Sequence, residues 1–495
     1  MIRLDKFLKK IVVGSGITLL SMLIIKVMAI VNSVICARLL NPADFGALSI
    51  IVNLQSLVVM IACLGIPLSV TKHISQYEKA DETMARSIAS IMILMLTISS
   101  VISAAVYLLL SETIATDLYH DRGLISVIRL SSILVMVASV NMGLSAIIQG
   151  FQRISALAIV NTIVAVAAQP IAFASIGLLG LEGAVISLLI SNLVSCAMLV
   201  YLSRRVVSYR HAKAFLKRKE HIRSLISFTI PAFVGGMTLV IAAWIGRTLL
   251  VIEWDLIEVG QFQIADNLSQ TMLILSAAMS IPLLPMISEL HVKNPRKVCE
   301  DSVGLLNVTM LLVLPLSIVA MPLMGAIITF LYGREYEIAY VATVIMFSFA
   351  AYKVVGSIIS NVILGMGRIW DALFLNLAWL MGFTILGVIL IRTNGANGLA
   401  GAYAASIGGY VLLLMFYFSR EFHIALHRCA LACIGYAAIV MIYLYYLDDL
   451  GFAERLAYAA GNALAIASII YFGVLGEQEK RSLKGMMRLV PGIWS

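Results

Sequence analysis

Lys26, Arg247 and Lys353 each stand inside a long apolar run. A charge at the bilayer centre costs about 2.5–3.5 kcal/mol on insertion scales, so such residues face a protein interior or water rather than lipid. Polar stripes accompany them. In "GQFQIADNLSQT", Gln263, Asp266, Asn267 and Gln270 fall at i, i+3, i+4 and i+7, one face of a helix. In "ALSIIVNLQS", Ser49, Asn53 and Ser56 make a second stripe. Cations beside amides and hydroxyls in a wet cavity suit an anion, and phosphate is the chemistry they would hold. Plain helix–helix hydrogen bonding is the competing reading of either stripe taken alone. Arg38, about 120° around its helix from Lys26 at 100° per residue, reads as an interface anchor or loop cap ahead of a ligand.

Other chemistries find no constellation. No paired carboxylates, phosphate loop or nucleophile–base arrangement stands out, and Asp448-Asp449 sits at a helix end as a solvated turn. The six cysteines (Cys36, Cys63, Cys196, Cys299, Cys429, Cys433) lie in or beside apolar runs without metal spacing, and read as packing residues. The sequence thus implies no catalytic residues, no metal and no cofactor. A coupling ion, H+ or Na+, is left open.

The elements that must position these residues are membrane spans. The chain of 495 residues is 61% hydrophobic, only 12% charged and has a mean hydropathy of +1.01. A water-soluble fold could not hide that much apolar surface. Fourteen apolar runs of spanning length are expected, at about 11–37, 45–70, 86–110, 124–148, 154–178, 183–203, 227–252, 260–286, 303–328, 339–364, 370–391, 399–419, 424–447 and 454–475. With the N-terminus inside, 26 of the 35 Lys and Arg fall in cytoplasmic segments and six outside. Such a bias places both termini in the cytoplasm. The net charge of +9 is therefore a topology signal rather than a nucleic-acid footprint.

The chain also repeats itself. "QGFQRI" (149–154) returns as "LGMGRI" (364–369), with Arg153 and Arg368 at an offset of 215; Asn161 and Asn376 keep that offset, as do Pro67 and Pro282. "GLEGA" (180–184) returns as "GLAGA" (398–402), and Gly46 and Asn53 return as Gly260 and Asn267 at offset 214. At that same offset Arg247 stands where the first half has Ser33. The expected fold is therefore an all-α integral membrane protein of about 14 transmembrane helices. Two homologous six-helix lobes, related by an axis along the membrane normal, are followed by two C-terminal helices. The expected division is 1–203 for the first lobe, 204–226 for a basic cytoplasmic linker and 227–420 for the second lobe. Residues 421–495 form the two added helices and a basic tail.

The segment "ARLLNPADFGALSI" resembles the first inter-helix segment of the polysaccharide biosynthesis, or lipid-linked oligosaccharide flippase, family. That family belongs to the multidrug/oligosaccharidyl-lipid/polysaccharide exporter superfamily. Its pattern here is Arg38-Leu39-Leu40, the Pro42 turn and the Phe45-Gly46 pair that opens span two. The resemblance covers the whole chain. It implies a flippase in the plasma membrane that moves a polyprenyl-(di)phosphate-linked oligosaccharide from the cytoplasmic to the outer leaflet by alternating access, for cell-surface glycan assembly. Its partners would be that glycolipid, membrane lipids and other polysaccharide-assembly proteins. On this reading Lys26, Arg247, Lys353, Asn53, Asp266, Asn267, Gln270 and Arg38 form the substrate-binding set, the basic ones holding phosphate. A peptidoglycan-precursor flippase and a cation-coupled exporter of the same superfamily stand as alternatives. Cation-coupled drug exporters usually carry an acidic residue in span one, which here has none after Asp5. The major facilitator class has a glycine-aspartate-arginine loop pattern that "TKHISQYEKADETMAR" lacks.

Overall fold

The computed structural model describes residues 2–78, 81–204, 206, 219–274, 295–446, 451–476 and 480. Most of the basic connection 204–226, Pro282 of the repeat, the second half of the expected span 260–286, and the tail beyond 480 lie outside the described residues. The described residues are almost wholly helical and contain no strand.

The main helices are α1 (Ile2–Leu39), α2 (Pro42–Cys63), α3 (Ile66–Tyr77), α4 (Glu82–Leu109), α5 (Leu124–Gly150) and α6 (Ile154–Ser203). They continue with α7 (Lys219–Glu253), α8 (Leu256–Ser269), α9 (Pro295–Ala320), α10 (Leu323–Leu331) and α11 (Ala339–Gly365). Last come α12 (Ile369–Phe422), α13 (His427–Tyr445) and α14 (Phe452–Ile469). By length and composition, eleven described helical segments can cross a membrane.

Two of those eleven are double. A 50-residue helix would measure about 75 Å at 1.5 Å per residue, far beyond a hydrocarbon core of about 30 Å. α6 instead folds back at Gly180 (φ 56°, ψ −130°), and α12 at Gly395 (φ 53°, ψ −129°). A backbone at that φ and ψ is open in practice only to glycine. Beyond each bend the chain returns so closely that a methyl on Gly183 would overlap the Ser175 carbonyl, and one on Gly398 that of Leu390. The limbs of α12 are tied at their open end. Arg368 donates to Glu421 and to the Tyr417 hydroxyl at 2.8 Å, and that hydroxyl donates to Asp371 at 2.7 Å. The expected spans at 154–178 with 183–203, and at 370–391 with 399–419, are these hairpin limbs.

The repeat is written into the backbone bond by bond. Arg153 N–H donates to Ile148 and Arg368 N–H to Ile363; Gln152 donates to Gln149 and Gly367 to Leu364; Leu157 donates to Arg153 and Ala372 to Arg368. Each pair is related by 215 residues. The bends at Gly180 and Gly395 keep the same offset. The "GLEGA"/"GLAGA" match at offset 218 is therefore a coincidence of letters, and the structural equivalents are Gly180 with Gly395 and Gly183 with Gly398.

Two compact units are present, Met1–Gln263 and Ile264–Ser495. In the first, α1 and α5 pack along α6, α4 packs on α5, and α2 lies against both α5 and α7. Its interior is aliphatic, with Val70, Ile74, Met84, Ile88, Leu96 and Ile147 in one cluster. In the second, α11 is the most enclosed span and packs on α9 and α12, while α9 also packs on α14. Large apolar side chains face outward throughout, among them Leu109, Phe173, Leu178, Phe374 and Phe416. A surface of this kind needs lipid around it.

Candidate functional site

The first unit holds a buried polar junction where α2, α7 and α8 meet. The starts of α2 and α8 are built alike. Asn41 caps α2, accepting from Asp44 N–H at 2.8 Å and donating to the Asp44 carboxylate at 2.8 Å, with Pro42 pre-set in the first turn. Asp255, 214 residues on, accepts from Glu258 N–H at 2.9 Å. The "NPAD" of the sequence is thus a helix start, and "DLIE" is its repeat.

One turn further in, the two helices cross at glycines. A methyl on Gly46 would overlap the Leu256 carbonyl, and one on Gly260 would come within 2.7 Å of the Pro42 oxygen. Leu256 is the repeat equivalent of Pro42, so each glycine lies on its counterpart's first turn. That reciprocity is what a local two-fold relation between α2 and α8 produces, and it sets the next polar residues face to face.

Those residues are Ser49 and Gln263, again 214 apart. The Ser49 hydroxyl donates to Gln263 Oε1 at 2.5 Å. Arg247 from α7 closes the ring, its Nε donating to Ser49 Oγ at 3.2 Å and its Nη2 to Gln263 Oε1 at 3.1 Å. The guanidinium also lies 5.1 Å from the Phe262 ring centroid. Arg247 is 4% exposed. It stands six residues before the end of α7, so about 9 Å below it at 1.5 Å per residue. Neutral acceptors orient a guanidinium without supplying counter-charge, so Ser49 and Gln263 fix its direction. Asn53, half-buried, spends its Nδ2 on the Ser49 carbonyl at 2.8 Å.

Toward the helix ends, Tyr119 lies against the same helices, its hydroxyl 3.3 Å from Thr248 Oγ1. Burial raises the pKa of its phenol above the ordinary value. A cavity of about 480 Å³, lined by Ala43, Tyr119, His120, Trp254, Asp255 and Ile257 among others, opens at this end.

The remaining expected residues are placed as follows. Lys26 is half-buried in the second half of α1. Arg38 is exposed in the last turn of α1. In the second unit Asp266 and Asn267 are half-buried, and Gln270 Nε2 donates to Asp266 Oδ1 at 3.2 Å. Lys353 is half-buried on α11, its ammonium 5.4 Å from the Phe349 ring centroid. Ser49 and Gln263 were visible in the sequence as stripe members but not as partners. The signal that pairs them is the repeat offset, which makes them equivalents.

Comparison with known proteins follows from this architecture. The family described as polysaccharide biosynthesis protein matches residues 11–291. A lipid III flippase of Escherichia coli (strain K12) is 27% identical over 379 residues, covering 74% of this chain and 88% of that protein. Among solved structures, the lipid II flippase MurJ in an inward closed conformation aligns with a TM-score of 0.67 at 14% identity, covering 93% of this chain and 99% of the other. A Vibrio cholerae MATE transporter aligns with a TM-score of 0.62 at 16% identity, over 85% and 98% of the respective chains.

Proposed function

The chain belongs to the polysaccharide biosynthesis protein family, and from that premise we propose that it is a flippase for a polyprenyl-(di)phosphate-linked oligosaccharide. It carries this lipid from the cytoplasmic to the outer leaflet of the plasma membrane for cell-surface glycan assembly. The family's description and the relative named as a lipid III flippase support this reading. The observation that carries it within the chain is the pair of cations at membrane depth, half-buried Lys26 and buried Arg247. Such charges are retained inside a membrane where they serve a charged cargo.

Lys26 is the primary phosphate contact, and Arg247 and Lys353 are further cations for the cargo. Asn53, Asp266, Asn267 and Gln270 offer hydrogen bonds to sugar hydroxyls, and Arg38 engages the headgroup at the end of α1. The repeats 1–203 and 227–420 are the bodies that move in alternating access, with 204–226 as their cytoplasmic linker and 421–495 as the appended helices. Both termini face the cytoplasm, as the charge bias requires. The junction of Arg247, Ser49 and Gln263 joins α2 of the first repeat to α7 and α8 of the second, so it is a contact that must part when the outer side opens.

The test is transport. In a strain lacking this protein, the lipid-linked oligosaccharide accumulates and mass spectrometry identifies it; in proteoliposomes, the purified protein makes that lipid accessible to an impermeant probe of the opposite leaflet. An intact protein that leaves every lipid-linked saccharide from its own host on one leaflet overturns the proposal.

A further inference from the structure

A second cavity, of about 520 Å³, lies in the second unit where α10, the start of α11 and the start of α14 converge. Its size falls in the range of sites for small molecules and headgroups. Glu337, in the turn just before α11, and Tyr340, in the first turn of α11, line it from one side, while Phe452 and Arg455, three apart, present one face of α14. The Arg455 guanidinium lies 5.8 Å from the Tyr340 ring centroid, and the Tyr340 hydroxyl is 2.8 Å from that of Tyr443. The rim is apolar and open, with Phe330 81% and Phe452 56% exposed.

Three features combine here. The cavity sits at the ends of apolar spans, the depth at which Tyr and Arg meet lipid headgroups. Phe330 and Phe452 extend apolar surface outward from it, as acyl chains require. Inside, a guanidinium and a carboxylate line the same space. Arginine is the side chain suited to a phosphate. A carboxylate beside it repels a purely anionic headgroup, but accepts hydrogen bonds from a primary ammonium.

We propose that this cavity binds a zwitterionic aminophospholipid, its phosphate on Arg455, its ammonium on Glu337 and its acyl chains against Phe330 and Phe452. The site is separate from the Arg247 junction, and the proposal does not depend on the flippase reading. It needs only that the chain lies in a membrane.

The experiment is competitive lipid retention. The full chain is stripped of lipid in detergent and offered equal amounts of phosphatidylethanolamine, phosphatidylcholine and phosphatidylglycerol with identical acyl chains. Native mass spectrometry then counts what stays bound. Phosphatidylethanolamine should be retained several-fold over the other two. Arg455→Ala should cut that retention several-fold, Arg455→Lys should keep part of it, and Glu337→Gln should erase the preference for ethanolamine over choline. Equal retention of the three lipids by the native protein overturns the proposal, as does a well-folded Arg455→Ala variant that retains ethanolamine lipid unchanged. Should Arg455→Ala fail to purify as a single species, Glu337→Gln at its exposed position decides alone: an unchanged headgroup preference overturns the site.

Discussion

Ser49 and Gln263 hold the same position in the two halves of the chain, and their side chains share a 2.5 Å hydrogen bond to which Arg247 adds two more. The bond follows from the glycine crossing one turn away, which brings equivalent residues of α2 and α8 into register. A buried arginine is thereby held by two neutral residues whose own contact does not need it.

That arrangement separates charge from packing. Gln263→Leu keeps the volume but removes the acceptor shared by Ser49 and Arg247, leaving buried donors unsatisfied at a cost of about 1–3 kcal/mol. Arg247→Met removes the buried charge and leaves the Ser49–Gln263 bond intact, which is closer to neutral for stability. The apparent melting temperature in detergent should fall further for Gln263→Leu than for Arg247→Met, while Arg247→Met should lose transport. The reverse order of melting temperatures would show that Arg247 serves packing alone.

Lys26 should behave as a charge rather than a shape. Lys26→Ala should sharply reduce translocation at near-normal protein level, Lys26→Arg should keep appreciable activity, and Lys26→Glu should be the least active. Immunoblots beside a glycan-export assay read both quantities. Full export by a well-expressed Lys26→Ala variant would remove Lys26 from the phosphate site.

The crossing at Gly46 and Gly260 should be intolerant of even a methyl. Gly46→Ala drives a carbon into the Leu256 carbonyl, whereas at Gly177 an added methyl meets nothing within 4 Å. Gly177→Ala should be neutral or stabilising by up to about 1 kcal/mol, because alanine favours helix. Gly46→Ala should lower the melting temperature and the transport rate. Equal effects at the two positions would count against the close approach.

The two bends offer a paired measurement. Gly180→Ala and Gly395→Ala each place a side chain at φ near +55°, costing on the order of 1–3 kcal/mol. Thermal melts should show losses of similar size, since the two sites repeat one local geometry.

Orientation can be read by labelling. Cysteine placed at Gly476 should react with an impermeant thiol reagent only after the cytoplasmic side is opened, and cysteine at Glu335 should react in intact cells. The opposite pattern would invert the topology.

Much of this was legible in the letters. The apolar runs, the offset of 214–215 residues and the polar stripes are one-dimensional signals. They arise because lipid and helix periodicity act on each segment by itself, so Lys26 and Arg247 could be singled out as charges in the wrong solvent. What the letters left undecided is who meets whom. Identity aligned "GLEGA" with "GLAGA", but the bend that only glycine tolerates fixed the offset at 215. The sequence marked Arg247 as a cation for a cavity, while the fold encloses it between two residues that are copies of one another. Which of a stripe's residues become partners depends on where two helices touch. That point is set by how closely Gly46 and Gly260 let the backbones approach, a property of two distant segments together that neither carries alone.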